Sequence, residues 1–129
     1  LVRDVDQLKA NIEGGREQVL DARSAGRFAG AEPEPRSGLR GGHIPGSYNL
    51  PFPSLYQPDT KCLKSAAELR LLYRGAGIDP ARPIATSCGS GITACNLALG
   101  LHLIGARDVA VYDGSWTEWG GREDTPVES

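Results

Sequence analysis

The residues whose types could best support a chemical reaction form one short glycine-rich loop after an apolar run. In order along the chain they are Cys88, Gly89, Ser90, Gly91, Ile92 and Thr93. The two glycines allow the backbone to curl with its N–H groups turned inward, and a following helix adds partial positive charge at its amino end. Both effects stabilise an anion, and the thiolate is the nucleophilic form of cysteine. The loop therefore predicts a nucleophilic Cys88, with the Ser90 hydroxyl beside it and Thr93 either capping the helix or bonding within the loop.

Two chemistries use a cysteine in such a loop, and a buried structural cysteine would fit the same local pattern. Cysteine-dependent phosphatases place an arginine six positions after the cysteine, where this chain has Ala94, and no charged residue lies between Cys88 and Asn96. A dianionic phosphate would find backbone amides there but no guanidinium. Sulfur transfer, in which the cysteine carries a sulfur atom as a persulfide, needs less positive charge and is favoured.

Strands and helices alternate around this loop. Apolar runs predict strands at residues 19–22, 48–50, 84–86 and 109–112. Helical spacing and capping patterns predict helices at residues 4–13, 65–75 and 92–104. This alternation is typical of an α/β domain with a mostly parallel sheet. The last of these helices is apolar nearly all round, so we expect it to be buried, with Cys95 in the core.

Composition excludes several functional classes. The chain has 129 residues, 40% of them hydrophobic and 23% charged, which fits one globular domain. A net charge of −2 gives no reason to expect nucleic-acid binding, and no stretch approaches the roughly 20 apolar residues that cross a membrane. Three cysteines without a CxxC pair argue against a disulfide framework and a structural zinc site. We expect no metal, no organic cofactor and a reducing, cytoplasmic location.

Three segments resemble the signatures of the rhodanese superfamily. They are residues 42–47 (Gly-His-Ile-Pro-Gly-Ser), the loop at 88–93, and residues 112–119 (Tyr-Asp-Gly-Ser-Trp-Thr-Glu-Trp). The resemblance covers nearly the whole chain and implies one α/β rhodanese-like domain over residues 1–129, with about five parallel strands and helices on both faces. Enzymes of this kind normally have two such domains with the active cysteine in the second. We therefore expect this chain to be the C-terminal catalytic half, without its N-terminal rhodanese-like domain.

The residues after the cysteine indicate a sulfur donor. Members that use thiosulfate usually have two basic residues there, whereas Gly89 and Ser90 are similar to the glycine and small residue of members that use 3-mercaptopyruvate. The resemblance implies transfer of sulfur from 3-mercaptopyruvate through a Cys88 persulfide to a thiol such as reduced thioredoxin, or to cyanide. A thiosulfate:cyanide sulfurtransferase and a persulfide carrier without turnover remain alternatives.

The resemblance also implies substrate-binding arginines in a long segment rich in glycine and proline. By position these are Arg27 and Arg36, and the planar fork of arginine suits a carboxylate. Without the resemblance, either would be read as a solvated or ion-paired arginine. The histidine of the first signature, His43, is expected to be structural. Asp21 and Arg23 are expected to pair with each other or with this segment, without a chemical role.

Overall fold

Five short strands form one parallel sheet in the computed structural model, which describes residues 2–35, 37–89 and 93–129. The strands are β1 (Val2–Arg3), β2 (Gln18–Asp21), β3 (Tyr48–Asn49), β4 (Ile84–Ser87) and β5 (Val109–Tyr112). Their order across the sheet is β1-β5-β4-β2-β3, and every neighbouring pair is parallel. Since all carboxyl ends point the same way, the segments that follow β2, β3, β4 and β5 meet at one edge of the sheet.

In the described part of the chain, four helices and one 3-10 turn lie between the strands, and a fifth helix follows the last strand. The helices are α1 (Val5–Gly14), α2 (Ala25–Phe28), α3 (Ala66–Gly75), α4 (Ala94–Leu103) and α5 (Ser115–Trp119), and the turn is Phe52–Leu55. Capping boxes begin two of them: the side chains of Asp4 and Ser65 accept hydrogen bonds from the backbone N–H groups of Gln7 and Glu68. These helices start where the sequence predicts.

Helices cover both faces of the sheet, as expected for the fold class. Successive residues of β2 point to opposite faces: Leu20 belongs to the core beneath α3 and α4, whereas Val19 belongs to the core formed with α1 and α5. Tyr73 of α3 is fully buried in the first core, and Trp119 of α5 is fully buried in the second. Two apolar layers therefore hold the sheet, and through it the ends of its strands.

Helix α4 departs from the sequence-based expectation. It packs inward through Leu97, Gly100 and Leu101, but Leu99 is 47% exposed and Leu103 is 50% exposed. Cys95 is also exposed, so its expected place in the core is wrong. The helix lies against the sheet on one side only, and its composition cannot reveal which side that is.

Four short elements among the described residues were not anticipated from the sequence: β1, α2, the 3-10 turn and α5. Strand β1 forms an edge of the sheet, and α5 follows β5 directly, with Ser115 as its first residue. Within the described ranges, no helix combines the length and apolar character needed to cross a membrane. Helix α5 is short, yet its first turn is hydrogen-bonded to Cys88 and Gly89.

Candidate active site

A cavity of about 430 Å³ lies at the carboxyl edge of the sheet. The segments that follow four of the strands each contribute to its walls: Arg27 after β2, Phe52 after β3, Gly89 after β4 and Thr117 after β5. The remaining lining is largely apolar and includes three proline residues. Such a pocket, apolar with a few convergent polar groups, is typical of a site for a small molecule.

Cys88 lies directly after β4, beside this cavity. The residue is only 1% exposed, while its neighbour Gly89 and the later Thr93 both border the cavity. Its backbone N–H donates a hydrogen bond to the hydroxyl of Ser115 at 3.0 Å, and the same hydroxyl lies 3.9 Å from the Cys88 sulfur. Cys88 is thus shielded from bulk water, while the next residue in the chain borders a space that a small substrate can fill.

The start of α5 fixes the backbone on both sides of the cysteine. The N–H groups of Trp116 and Thr117 donate to the carbonyl oxygens of Cys88 and Gly89, each at 2.8 Å. The Thr117 hydroxyl donates to the Gly89 oxygen as well, at 2.6 Å. Ser115 is fully buried and has φ of 49°, a left-handed conformation uncommon for serine. Sequence reasoning identified the signature at 112–119 but not Ser115 as the residue in contact with the cysteine.

Arg27 borders the cavity together with Arg23 and Glu34, and it is the most exposed of these three charged side chains. Glu34 holds it in place. Its Nε and Nη2 donate to the two carboxylate oxygens of Glu34 at 3.2 and 2.8 Å. These hydrogen bonds and the charge of Glu34 outweigh burial and raise the pKa of Arg27 above its ordinary value. Nη1 makes no hydrogen bond to any residue within the described ranges, so this end of the guanidinium can still bind a carboxylate.

Arg23 joins Glu34 to the sheet. It donates to the carboxylate of Asp21 through Nη2 at 2.7 Å and approaches Glu34 through Nη1 at 3.3 Å. Its guanidinium carbon also lies 4.3 Å from the ring centre of Trp116, within range for a cation–π contact. The expected pairing of Arg23 with Asp21 is confirmed. The involvement of Glu34 was not anticipated, because nothing in the sequence distinguishes it from a glutamate on the protein surface.

His43 has a structural position. Its ring stacks on Phe28 with centroids 3.8 Å apart, and its Nδ1–H donates to the Phe28 carbonyl oxygen at 2.7 Å. Its backbone also pairs with Glu128, and the residue does not border the cavity. These contacts hold the segment after α2 against the end of the chain and agree with the structural role expected for this histidine.

The structure brings Gly89, Thr93 and Arg27 together at one cavity, and the buried Cys88 directly precedes Gly89 without bordering the cavity itself. The Thr93 side chain makes no capping hydrogen bond, so the capping alternative considered for it is wrong. The predictions for Arg36, Ser90, Gly91 and Ile92 lie outside the described residues. Among residues 2–35, 37–89 and 93–129, no group of three or more metal-binding side chains is close enough to hold an ion.

Comparison with known proteins identifies relatives along the whole chain. A family model described as "Rhodanese-like domain" matches residues 4–122. "Thiosulfate/3-mercaptopyruvate sulfurtransferase 1, mitochondrial" of Arabidopsis thaliana is 50% identical over 129 residues, which are 100% of this chain and 34% of that protein. Human "3-mercaptopyruvate sulfurtransferase" is 46% identical over 92% of this chain and 39% of its own length. The chain thus spans between a third and two fifths of the curated relatives it matches.

A solved structure agrees with these matches. The sulfur transferase subunit of yeast mitochondrial complex I superposes with a TM-score of 0.88 and is 38% identical, over 100% of this chain and 45% of that one. The cytoplasmic location expected above is contradicted by the Arabidopsis relative, whose name places it in the mitochondrion. Cysteines that remain reduced indicate a reducing environment, but they do not distinguish one such compartment from another.

Proposed function

The chain belongs to the rhodanese-like domain family, and from that premise we propose that it transfers a sulfur atom through a persulfide on Cys88. The observation that carries this proposal is the place of Cys88, which is buried after β4 and directly precedes Gly89 at the cavity that Arg27 borders. A nucleophile shielded from water retains a reactive persulfide, and the adjacent space admits the donor.

We propose 3-mercaptopyruvate as the donor. Nη1 of Arg27 is available for its carboxylate. The resemblance of the following segment to the family gives a second candidate for the same role, Arg36. The residue after the cysteine is Gly89, which leaves room for the arginine and adds no positive charge. This arrangement suits a donor with one carboxylate and an uncharged thiol.

The reaction proceeds in two half-reactions. The Cys88 thiolate attacks the substrate sulfur, and the carbon–sulfur bond breaks with its electron pair passing to carbon, which gives the enolate of pyruvate. A proton then converts the enolate to pyruvate, and Cys88 keeps the persulfide. In the second half-reaction a thiol such as reduced thioredoxin, or cyanide, attacks the outer sulfur and releases the Cys88 thiolate. The hydroxyl of Ser90 and the amides of Gly91 and Ile92 complete the anion cradle in this proposal.

Thiosulfate is the second candidate donor, because the Arabidopsis relative is named for both substrates. The same cysteine chemistry applies to it, with sulfite as the leaving group. The two donors are separated by the second-order rate constants for persulfide formation. Faster loading by 3-mercaptopyruvate supports the proposed donor, and faster loading by thiosulfate replaces it without changing the role of Cys88.

We further propose that residues 1–129 act as the C-terminal catalytic domain of a two-domain protein. Support comes from the relatives, which are more than twice as long as the matched region. Joining the chain to an N-terminal rhodanese-like domain should increase turnover with cyanide while leaving the site of the persulfide unchanged. Equal turnover numbers with and without that domain would contradict this arrangement, and loading without turnover would favour a persulfide carrier.

A further inference from the structure

Trp116 of α5 contacts two parts of the candidate site at once. Its backbone N–H donates a hydrogen bond to the carbonyl oxygen of Cys88 at 2.8 Å. The guanidinium of Arg23 lies over its indole ring, with 4.3 Å between the guanidinium carbon and the ring centroid. The residue is only 1% exposed, so both contacts are shielded from water. One buried residue therefore touches the backbone of the cysteine and a charged side chain from the segment after β2.

Arg23 and Glu34 connect this indole ring to Arg27. Nη1 of Arg23 donates to one carboxylate oxygen of Glu34 at 3.3 Å, and Nη2 of Arg27 donates to the other at 2.8 Å. The side chains of Arg23 and Glu34 are each 1% exposed, so water cannot replace either partner. A displacement of the indole ring would therefore be transmitted through these two side chains to Arg27.

A further hydrogen bond fixes the orientation of the indole ring. Its Nε1–H donates to the carbonyl oxygen of Arg40 at 2.8 Å. The side chain of Arg40 in turn donates to the carbonyl oxygens of Trp119 and Thr125, each at 2.8 Å. The ring cannot turn away from Arg23 without breaking a shielded hydrogen bond, which is costly.

The place of Arg27 relative to the cysteine loop allows little tolerance. A Cβ atom at Gly89 would lie 2.9 Å from Nη2 of Arg27, so the guanidinium lies directly against the residue that follows Cys88. A substrate held by its carboxylate reaches the cysteine only if the two binding partners are correctly spaced. Shifts of about 1 Å at such a site can reduce rates severely.

We propose that Trp116 is a positioning residue, which sets the place of Arg27 relative to Cys88. This inference rests on the proposed function, in which Arg27 binds the carboxylate of the donor while Cys88 attacks its sulfur. The backbone of Trp116 holds the cysteine, and its ring holds Arg23, which acts on Arg27 through Glu34. Trp116 itself touches no substrate.

Alkylation of Cys88 by iodoacetate and by neutral iodoacetamide, followed by peptide mass mapping, tests this inference. The ratio of the two rates reports the guidance of a carboxylate, and the iodoacetamide rate reports the thiol alone. Trp116→Phe keeps an aromatic ring, removes the Nε1 hydrogen bond and weakens the contact with Arg23. We expect the ratio to fall about threefold, while the iodoacetamide rate stays close to that of the unaltered chain.

Trp119→Phe is the matched control for a purely structural role. Trp119 is fully buried in the same helix and the same core as Trp116, and its Nε1–H also donates to a carbonyl oxygen, that of Pro126 at 2.7 Å. Within the described ranges no arginine makes a cation–π contact with it. Both variants should lose stability in urea, but Trp119→Phe should keep the original ratio. Equal ratios in the two variants would overturn the inference.

Gly120→Ala displaces the indole ring without removing it. A Cβ atom at Gly120 would lie 2.6 Å from Nε1 of Trp116, so the ring must shift. This variant should also lower the alkylation ratio, and it decides the question if Trp116→Phe does not fold. An unchanged ratio in folded Gly120→Ala would overturn the inference.

A double variant identifies the side chain through which Trp116 acts. In a chain that already carries Arg27→Met, Trp116→Phe should lower the ratio no further, because both changes remove the same guidance. Additive effects would assign the influence of Trp116 to another group and would overturn the inference.

The alkylation ratio requires no sulfur transfer. Persulfide formation together with an unchanged ratio in Trp116→Phe would retain the proposed function and remove the role of Trp116. A lowered ratio in a chain that forms no persulfide would retain the positioning of Arg27 and remove the sulfurtransferase function. The two failures are therefore distinguishable.

Discussion

The hydroxyl oxygen of Ser115 accepts a hydrogen bond from the backbone N–H of Cys88 at 3.0 Å and lies 3.9 Å from the Cys88 sulfur. The hydroxyl proton has two acceptors within reach, the carbonyl oxygen of Tyr112 at 2.8 Å and the sulfur of Cys88, and donation to the sulfur would stabilise its thiolate form. Ser115 adopts φ of 49° to reach this position, 27 residues along the chain from the cysteine. The start of α5 is thus part of the surroundings of Cys88.

Replacing Ser115 with alanine should lower both stability and the reactivity of Cys88. The buried N–H of Cys88 loses its acceptor, which costs about 1–3 kcal/mol of unfolding free energy. The sulfur loses its neighbouring hydroxyl, so alkylation of Cys88 by iodoacetamide should slow. Urea denaturation and peptide mass mapping measure the two effects.

Ser65→Ala is the matched control for this variant. It removes an N-cap hydroxyl from α3 and should cost about 1 kcal/mol without affecting Cys88. If the two alanine variants are alkylated at Cys88 at the same rate, Ser115 has no influence on the nucleophile.

Arg27 should guide carboxylates to the cysteine. In the unaltered chain, the ratio of Cys88 alkylation rates with iodoacetate and with neutral iodoacetamide reports this guidance. Arg27→Met should lower the ratio about tenfold, because the carboxylate loses a charge-assisted hydrogen bond. Arg70→Met changes an exposed arginine of α3 and should leave the ratio unchanged. An unaltered ratio in Arg27→Met would exclude this arginine from carboxylate binding.

The charge of Arg27 should not change between pH 7 and 10. The ratio of the iodoacetate and iodoacetamide alkylation rates should therefore vary little with pH in this range. The pKa of Arg27 is raised above its ordinary value by its hydrogen bonds to Glu34, so the guanidinium stays charged throughout this range. A raised pKa in the folded state also means that any stability from this pairing is present across the range and is lost only at higher pH. In Arg27→Lys the ratio should fall as pH rises toward 10, near the ordinary lysine pKa of about 10.4. Parallel profiles for the two proteins would contradict this.

Gly100 of α4 should tolerate no side chain. A Cβ atom there would clash with the hydroxyl of Tyr73, which is fully buried and donates to the Leu97 carbonyl oxygen at 2.8 Å. Gly100→Ala should destabilise the fold by about 1–3 kcal/mol despite the better helix propensity of alanine. Gly75→Ala is the control, because nothing lies within 4 Å of its Cβ position, and it should stabilise α3 by up to about 1 kcal/mol. Thermal unfolding of both variants measures the change in Tm, and equal changes in Tm for the two variants would contradict the packing argument.

Local patterns in the sequence predicted four of the five strands and three of the five helices among the described residues, whereas the nucleophilic role of Cys88 stays a prediction. The capping box at Ser65, the apolar run before Cys88 and the glycine after it each depend on residues close together in the chain. Such local patterns do not predict contacts between residues that lie far apart in the chain. Ser115 reaches Cys88 only because β4 and β5 are neighbours in the sheet, and Glu34 is buried only because Arg23 and Arg27 surround it.

The most direct test of the central claim is intact-protein mass spectrometry of the chain after incubation with 3-mercaptopyruvate and, separately, with thiosulfate. Cys88→Ser and Cys95→Ser are measured beside it, since Cys95 is exposed and follows closely in the sequence. The account predicts a gain of one sulfur atom, larger with 3-mercaptopyruvate, that is lost in Cys88→Ser and kept in Cys95→Ser. No gain with either donor, or a gain that persists in Cys88→Ser, would contradict it.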